Sequence, residues 1–192
     1  MVNQKQSNCQ FSLSKYFELL ENDIKNILLR PEKNVLTYDI LDTEKLKRNK
    51  FLALKEKQRQ MKVGEIWQQV LGSYNGFVNL KIGNKTGLDI LSHTKKIAIE
   101  LKNRSNTDNS SSKKFNLDKL ANFKINNPDY DCIYANINAN TENKTLNGSI
   151  KKILHNGVEL KHQIGIEFLK YILGDDVDII IQFVKNIIDK YT

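Results

Sequence analysis

Asp89, Glu100 and Lys102 are the residues of this chain whose types and spacing fit a chemical step. They lie in Thr86-Gly87-Leu88-Asp89-Ile90-Leu91 and Ile97-Ala98-Ile99-Glu100-Leu101-Lys102-Asn103-Arg104, two apolar segments joined by a short turn. Side chains alternate along a strand, so Glu100 and Lys102 share one face while Ile97, Ile99 and Leu101 turn to the core. Asp89, from the preceding strand, reaches the same end of the sheet. Two carboxylates can hold a hard divalent cation, and a lysine beside them can serve the water that attacks phosphorus. The chemistry that suits these three residues is metal-dependent cleavage of a phosphodiester.

Spacing by itself is a weak guide, because Glu-x-Lys recurs at Glu142/Lys144 and Glu159/Lys161. Asp131 even precedes Glu142 by the interval that separates Asp89 from Glu100. Context separates the three. Glu142 and Lys144 sit in a polar, Asn-rich run that reads as loop, and Glu159 follows the turn signal His155-Asn156-Gly157. Glu100 and Lys102 lie in an alternating apolar strand that follows a second apolar strand bearing an acid. Without catalysis, Asp89 is a strand-end turn residue and Glu100 with Lys102 an exposed strand face.

The elements that must position these residues can be read from periodicity. Leu20, Ile24, Ile27 and Leu28 mark a helix over about 14–29, ended by Arg30-Pro31. Asp42 or Thr43 can cap a second helix. A third spans about 62–73, where Val63, Ile66, Trp67, Val70 and Leu71 form an apolar stripe, and Trp67 reads there as core. A three-strand meander is predicted at 77–82, 87–91 and 96–102, followed by a polar loop over 103–112 and a helix around 115–124. A buried strand over 132–137, a hairpin of 150–154 with 158–161 around Asn156-Gly157, and helices over 163–173 and 176–191 complete the chain. The order predicts an α/β fold, a mixed sheet flanked by helices. We read 1–192 as one domain, with a helical, basic arm over 1–60 and a catalytic core over 61–192.

The net charge is +8, and most of the excess falls in one window. Eight basic side chains between Lys45 and Lys62 stand against Glu56 alone, a net +7. Such a stripe suits a phosphate backbone, with salt-sensitive binding, or else a solvated helix face. It lacks the apolar face of a helix lying on a membrane. Cys9 and Cys132 are isolated and read as free thiols of a reducing compartment. With no membrane-spanning run and no signal-peptide pattern, a cytoplasmic location is expected. His93, His155 and His162 show no metal-ligand spacing with the cysteines and read as surface or turn residues.

Gly87-Leu88-Asp89 followed by Ile99-Glu100-Leu101-Lys102 resembles the PD-(D/E)xK nuclease signature. The wider run from Gly83 to Ile90, continued by Ile99 through Thr107, is similar to small type II restriction endonucleases, particularly the group that cuts GGNCC-type sites. The resemblance covers roughly 62–157 and includes the helix bearing Lys119-Leu120 and the 132–137 strand. Leu88 stands where the signature has Pro, a position often varied in the superfamily.

The resemblance implies a restriction-endonuclease-like core and Mg²⁺-dependent, sequence-specific cleavage of double-stranded DNA at a short palindrome, leaving 5′-phosphate and 3′-hydroxyl ends. Asp89 and Glu100 would ligand Mg²⁺ with the Leu101 carbonyl, and Lys102 would orient or activate water. Glu65, in the helix before the sheet, matches the place of an additional acid in relatives, or else is a solvated carboxylate. Arg104, Asn106, Thr107, Asn109, Lys113 and Lys114 are candidate DNA contacts, Arg and Asn being suited to guanine and adenine; the loop 138–152 is a second candidate reader. A palindrome implies a homodimer, and a cognate DNA methyltransferase is expected in the same system without a stable complex. The alternatives are a structure-selective nuclease of resolvase or repair type, and a non-catalytic DNA-binding module in which Glu100 and Lys102 form a surface ion pair.

Overall fold

The computed structural model describes residues 11–32, 35–81, 83–104, 109–138 and 151–192. A six-stranded mixed sheet carries helices on both faces, as expected from the sequence. The chain runs α1 (Leu13–Leu29), α2 (Glu44–Gly72), β1 (Val78–Asn79), β2 (Ile90–Ser92), β3 (Ile97–Arg104), α3 (Ser110–Asn126), β4 (Asp131–Asn138), β5 (Lys151–His155), β6 (Val158–Ile164), α4 (Gly165–Leu173) and α5 (Val177–Tyr191). The sheet order is β1-β2-β3-β4-β6-β5. The β3–β4 and β4–β6 pairs are parallel and the rest antiparallel, so β3, β4 and β6 end at the same edge.

Two apolar clusters sandwich the sheet. Ile97, Ile99, Leu101, Ile133 and Ile137 pack on α1, α2, α4 and α5, which contribute Leu20, Ile66, Phe168 and Ile180 among others. On the opposite face, Leu88, Leu91, Ala98 and Cys132 pack on Leu117, Leu120 and Ala121 of α3. The face of β3 that carries Glu100 is therefore roofed by α3 there rather than open to solvent, unlike the exposed strand face of the non-catalytic alternative.

Several boundaries differ from expectation, for local reasons. The second and third helices are one 29-residue helix, α2, because the residues between them are strong helix formers and Gly64 is too weak a breaker to interrupt them. Of the two candidate caps, Thr43 fills the role, its hydroxyl accepting from Leu46 N–H at 3.4 Å. Helix α3 begins at Ser110, five residues earlier than predicted, because Asn109 caps it by accepting from Ser112 N–H at 2.8 Å. The meander strands are short at β1 and β2, and position 82, the predicted end of the first, lies outside the described residues. The hairpin forms around the predicted turn, with Asn156 and Gly157 at φ 49° and 78°, the pair of positive angles a two-residue turn of this kind needs. Its second strand runs to Ile164, past the predicted 161 and into the start of the predicted helix; position 150 lies outside the described residues.

Helix α2 ends where it meets β1. A Cβ added at Gly72 would lie 2.6 Å from Asn79 Cβ and 2.7 Å from its backbone nitrogen. Gly72→Ala must push β1 away from the helix. It is expected to cost about 3 kcal/mol, read as a lowered urea midpoint at unchanged m-value.

Candidate active site

Asp89 sits at the bend just before β2. Its N–H donates to Ile99 O at 3.2 Å, and its carbonyl accepts from Leu80 N–H at 2.9 Å. These bonds extend the ladder beyond the strand and hold Asp89 across from β3. Its Oδ2 accepts from Leu101 N–H at 2.8 Å, so the carboxylate is fixed to the strand that carries Glu100.

Glu100 is 2 % exposed. A carboxylate this deep needs partners, and it has two: Lys102 Nζ stands 2.9 Å from Oε1 and Lys119 Nζ 2.9 Å from Oε2. Lys119 also donates to the Gly87 carbonyl at 2.8 Å, tying α3 to the loop that delivers Asp89. Gly87 has φ +67°, and a Cβ there would come within 3.0 Å of Lys119 Cδ, so the Gly-Leu-Asp turn is shaped to let this lysine pass.

Burial, and then the neighbouring Glu100 charge, push the Asp89 carboxyl up to about 6, against the opposing pull of the Leu101 N–H, Lys102 and Lys119. Two close, poorly solvated carboxylates repel, and a hard divalent cation relieves that repulsion while satisfying oxygen donors. The donor set therefore fits such an ion, although among the described residues no group of three His, Cys, Asp or Glu side chains is gathered.

Glu65 is not brought to this pair. It pairs with Arg30, whose Nη1 stands 2.9 Å from Oε1, because α1 ends against that side of α2. Lys102 and Glu100 are joined as the spacing predicts, whereas the competing Glu159 pairs with Lys152, and Asp131 with Lys161 at 2.6 Å. Glu142 and Lys144 lie outside the described residues.

The candidate DNA contacts divide. Arg104, at the end of β3, stands 3.2 Å from Glu56 of α2. Asn109 is occupied as the α3 cap. Exposed Lys113 lies 5.9 Å from the Tyr134 ring centroid, and Lys114 is exposed on the same first turns of α3. Asn106, Thr107 and most of the second reader loop lie outside the described residues. The histidines serve structure: His93 bonds Tyr130, His155 bonds Asp118, and the partly buried His162 bonds Asn136, next to Lys102 in the sheet register. His162 is thus not the surface residue that its sequence context suggests. Lys119 joins this cluster although spacing did not flag it; the resemblance took in its helix without giving the lysine a role.

A family model described as Eco47II restriction endonuclease matches residues 1–190. The chain belongs to the Eco47II restriction endonuclease family. A search of curated proteins finds no match. Membership makes this restriction endonuclease a site-specific, DNA-binding nuclease. Members of such families commonly use divalent metal ions, in keeping with the paired carboxylates. Among the described residues no helix is long and apolar enough to cross a membrane.

Proposed function

We propose that this endonuclease is a type II enzyme of the PD-(D/E)xK kind. It hydrolyses one phosphodiester in each strand of a short palindromic, GGNCC-type site and leaves 5′-phosphate and 3′-hydroxyl ends. The observation that carries this reading is the half-buried Asp89 beside the buried Glu100, with Lys102 Nζ 2.9 Å from the Glu100 carboxylate.

Asp89 and Glu100, with the Leu101 carbonyl, are the groups to hold Mg²⁺, which supplies positive charge to the phosphate and lowers the pKa of its water. Asp89 is immobilised by the Leu101 N–H, so its carboxylate needs little reorganisation on binding. Lys102 orients the attacking water along the face of β3 and counters charge on the phosphate. Lys119 places a second ammonium on the same carboxylate. Lys102 and Lys119, both on the Glu100 carboxylate, are the ammonium groups that would be available to counter charge on the phosphate oxygens. The basic α2 window supplies sequence-independent attraction. Several of its charges are already paired within the protein, Lys47 with Glu44, Lys50 with Asp42 and Lys55 with Glu32. Cutting both strands of a palindrome is met by a two-fold dimer, and a methyltransferase of the same specificity protects the host DNA.

The test is digestion of a long duplex of known sequence with Mg²⁺, followed by sequencing of the fragment ends. Discrete fragments that share one palindrome at their junctions, with ligatable 5′-phosphates, are expected. Intact DNA, cuts without a common site, or cuts confined to branched DNA would overturn the proposal.

A further inference from the structure

On the side of β3 away from Lys119, the sheet edge and α2 enclose a cleft of about 400 Å³. Arg59, Gln60 and Trp67 line it from one face of α2, and Asn103, Arg104 and Asn138 from the ends of parallel strands β3 and β4. Ligands of α/β sheets are met at the carboxyl ends of parallel strands, and this volume is that of a site for one small unit rather than a duplex.

The lining is built rather than incidental. Glu56, the lone acid of the basic window, receives Arg59 Nε and Nη2 at 2.8 and 2.9 Å, Gln60 at 2.7 Å and Arg104 Nη2 at 3.2 Å. Those partners, Arg59 first, hold the Glu56 carboxyl down at about 2, so it stays ionised and fixes both guanidinium groups beside the cleft. Asn138 donates to Asn103 Oδ1 at 2.7 Å, and Asn103 donates to Gln60 O at 3.4 Å, which fixes the two amides in a row. Trp67 is half-buried, its ring packed at the margin of the core while also lining the cleft.

We propose that this cleft is a nucleotide subsite of the DNA-binding surface, separate from the metal pair. It seats one base against the Trp67 indole, reads its edge with the Asn103 and Asn138 amides, and meets its phosphate with Arg59 and Arg104. The chemistry matches each part of a nucleotide: aromatic faces stack on bases, amides read base edges, and guanidinium forks pair with phosphate. The reach also matches. Arg104 lies four residues along β3 from Glu100, roughly 13 Å at strand rise, or about four base-pair steps. That separation keeps the cleft within one short recognition site of the phosphate being cut. The inference rests on the endonuclease reading.

Trp67 is the only tryptophan of the chain, so its emission reports the cleft directly. The full chain carrying Asp89→Asn, expected to bind without cutting, is titrated with an end-labelled duplex containing GGNCC. Label anisotropy and Trp67 emission are followed together. Occupancy of the cleft predicts emission quenched at least twofold along the same isotherm as the anisotropy. It also predicts binding weakened at least tenfold by Asn138→Ala, at an exposed position where folding is not at stake. A full anisotropy change with unaltered Trp67 emission, or undiminished binding by the Asn138 variant, overturns the subsite and leaves the endonuclease reading standing. No anisotropy change at all overturns that reading, and the subsite with it.

Discussion

Asp89→Asn is expected to leave DNA bound and uncut. Single-turnover cleavage should fall by about 10³-fold or more, the loss of several kcal/mol of transition-state stabilisation that an ill-held cation entails. The dissociation constant for DNA should change only a few-fold, because Asp89 is no part of the basic surface. The substitution also has an opposite effect on the resting protein. Asn keeps an oxygen for the Leu101 N–H but removes the charge that burial and Glu100 oppose.

The sign of the pH effect follows from the raised carboxyl. The folded protein binds the Asp89 proton more tightly than the unfolded chain does, so the contribution of Asp89 to stability is greatest below the ordinary carboxylate value. It is lost as pH rises through about 6. At pH 8 the ionised Asp89 therefore costs at most about 3 kcal/mol. Metal-free Asp89→Asn should be more stable than the parent at pH 8 by up to that amount, with the gap closing below pH 4. Thermal unfolding across pH 4–8 measures this, and a variant no more stable at pH 8 would contradict the strained, metal-seeking pair.

The second large effect is at Lys119, which spacing did not flag. Lys119→Met keeps the length of the chain under α3 and removes one of the two cations on a carboxylate that is 2 % exposed. The metal-free protein should lose about 2 kcal/mol, several degrees of melting temperature. Cleavage should fall by about 10²-fold as one charge near the phosphate disappears. Mg²⁺ should recover much of the lost stability by taking the vacated side of Glu100. A variant cutting at the parental rate would confine Lys119 to a structural tie between α3 and Gly87.

Strand β3 was legible because alternation is a local property. Ile97, Ile99 and Leu101 fix one face of β3, and Glu100 with Lys102 must then share the other. What covered that face was not legible. Nothing near Lys119 in the sequence says that α3 crosses β3 so as to aim it at Glu100, since that is decided by how Leu117, Leu120 and Ala121 pack on Ala98 and Cys132. The pairing of Glu65 was not legible for the same kind of reason: its partner Arg30 is set by the packing of α1 on α2. Trp67 was legible as part of an apolar stripe, but that stripe passes from core to cleft along the length of α2, and only the fold shows where. Parallel β4–β6 pairing likewise depends on packing across the sheet rather than on any turn signal.

The central claim, that Asp89 and Glu100 together hold the divalent cation, is tested most directly by calorimetric titration of Mn²⁺ into the parent and into Glu100→Gln at pH 8. Glutamine preserves the shape of the buried side chain while removing its charge. The parent should bind the ion and the variant should lose binding by at least tenfold, both remaining folded. Equal affinity in the two proteins would contradict the assignment of the metal site.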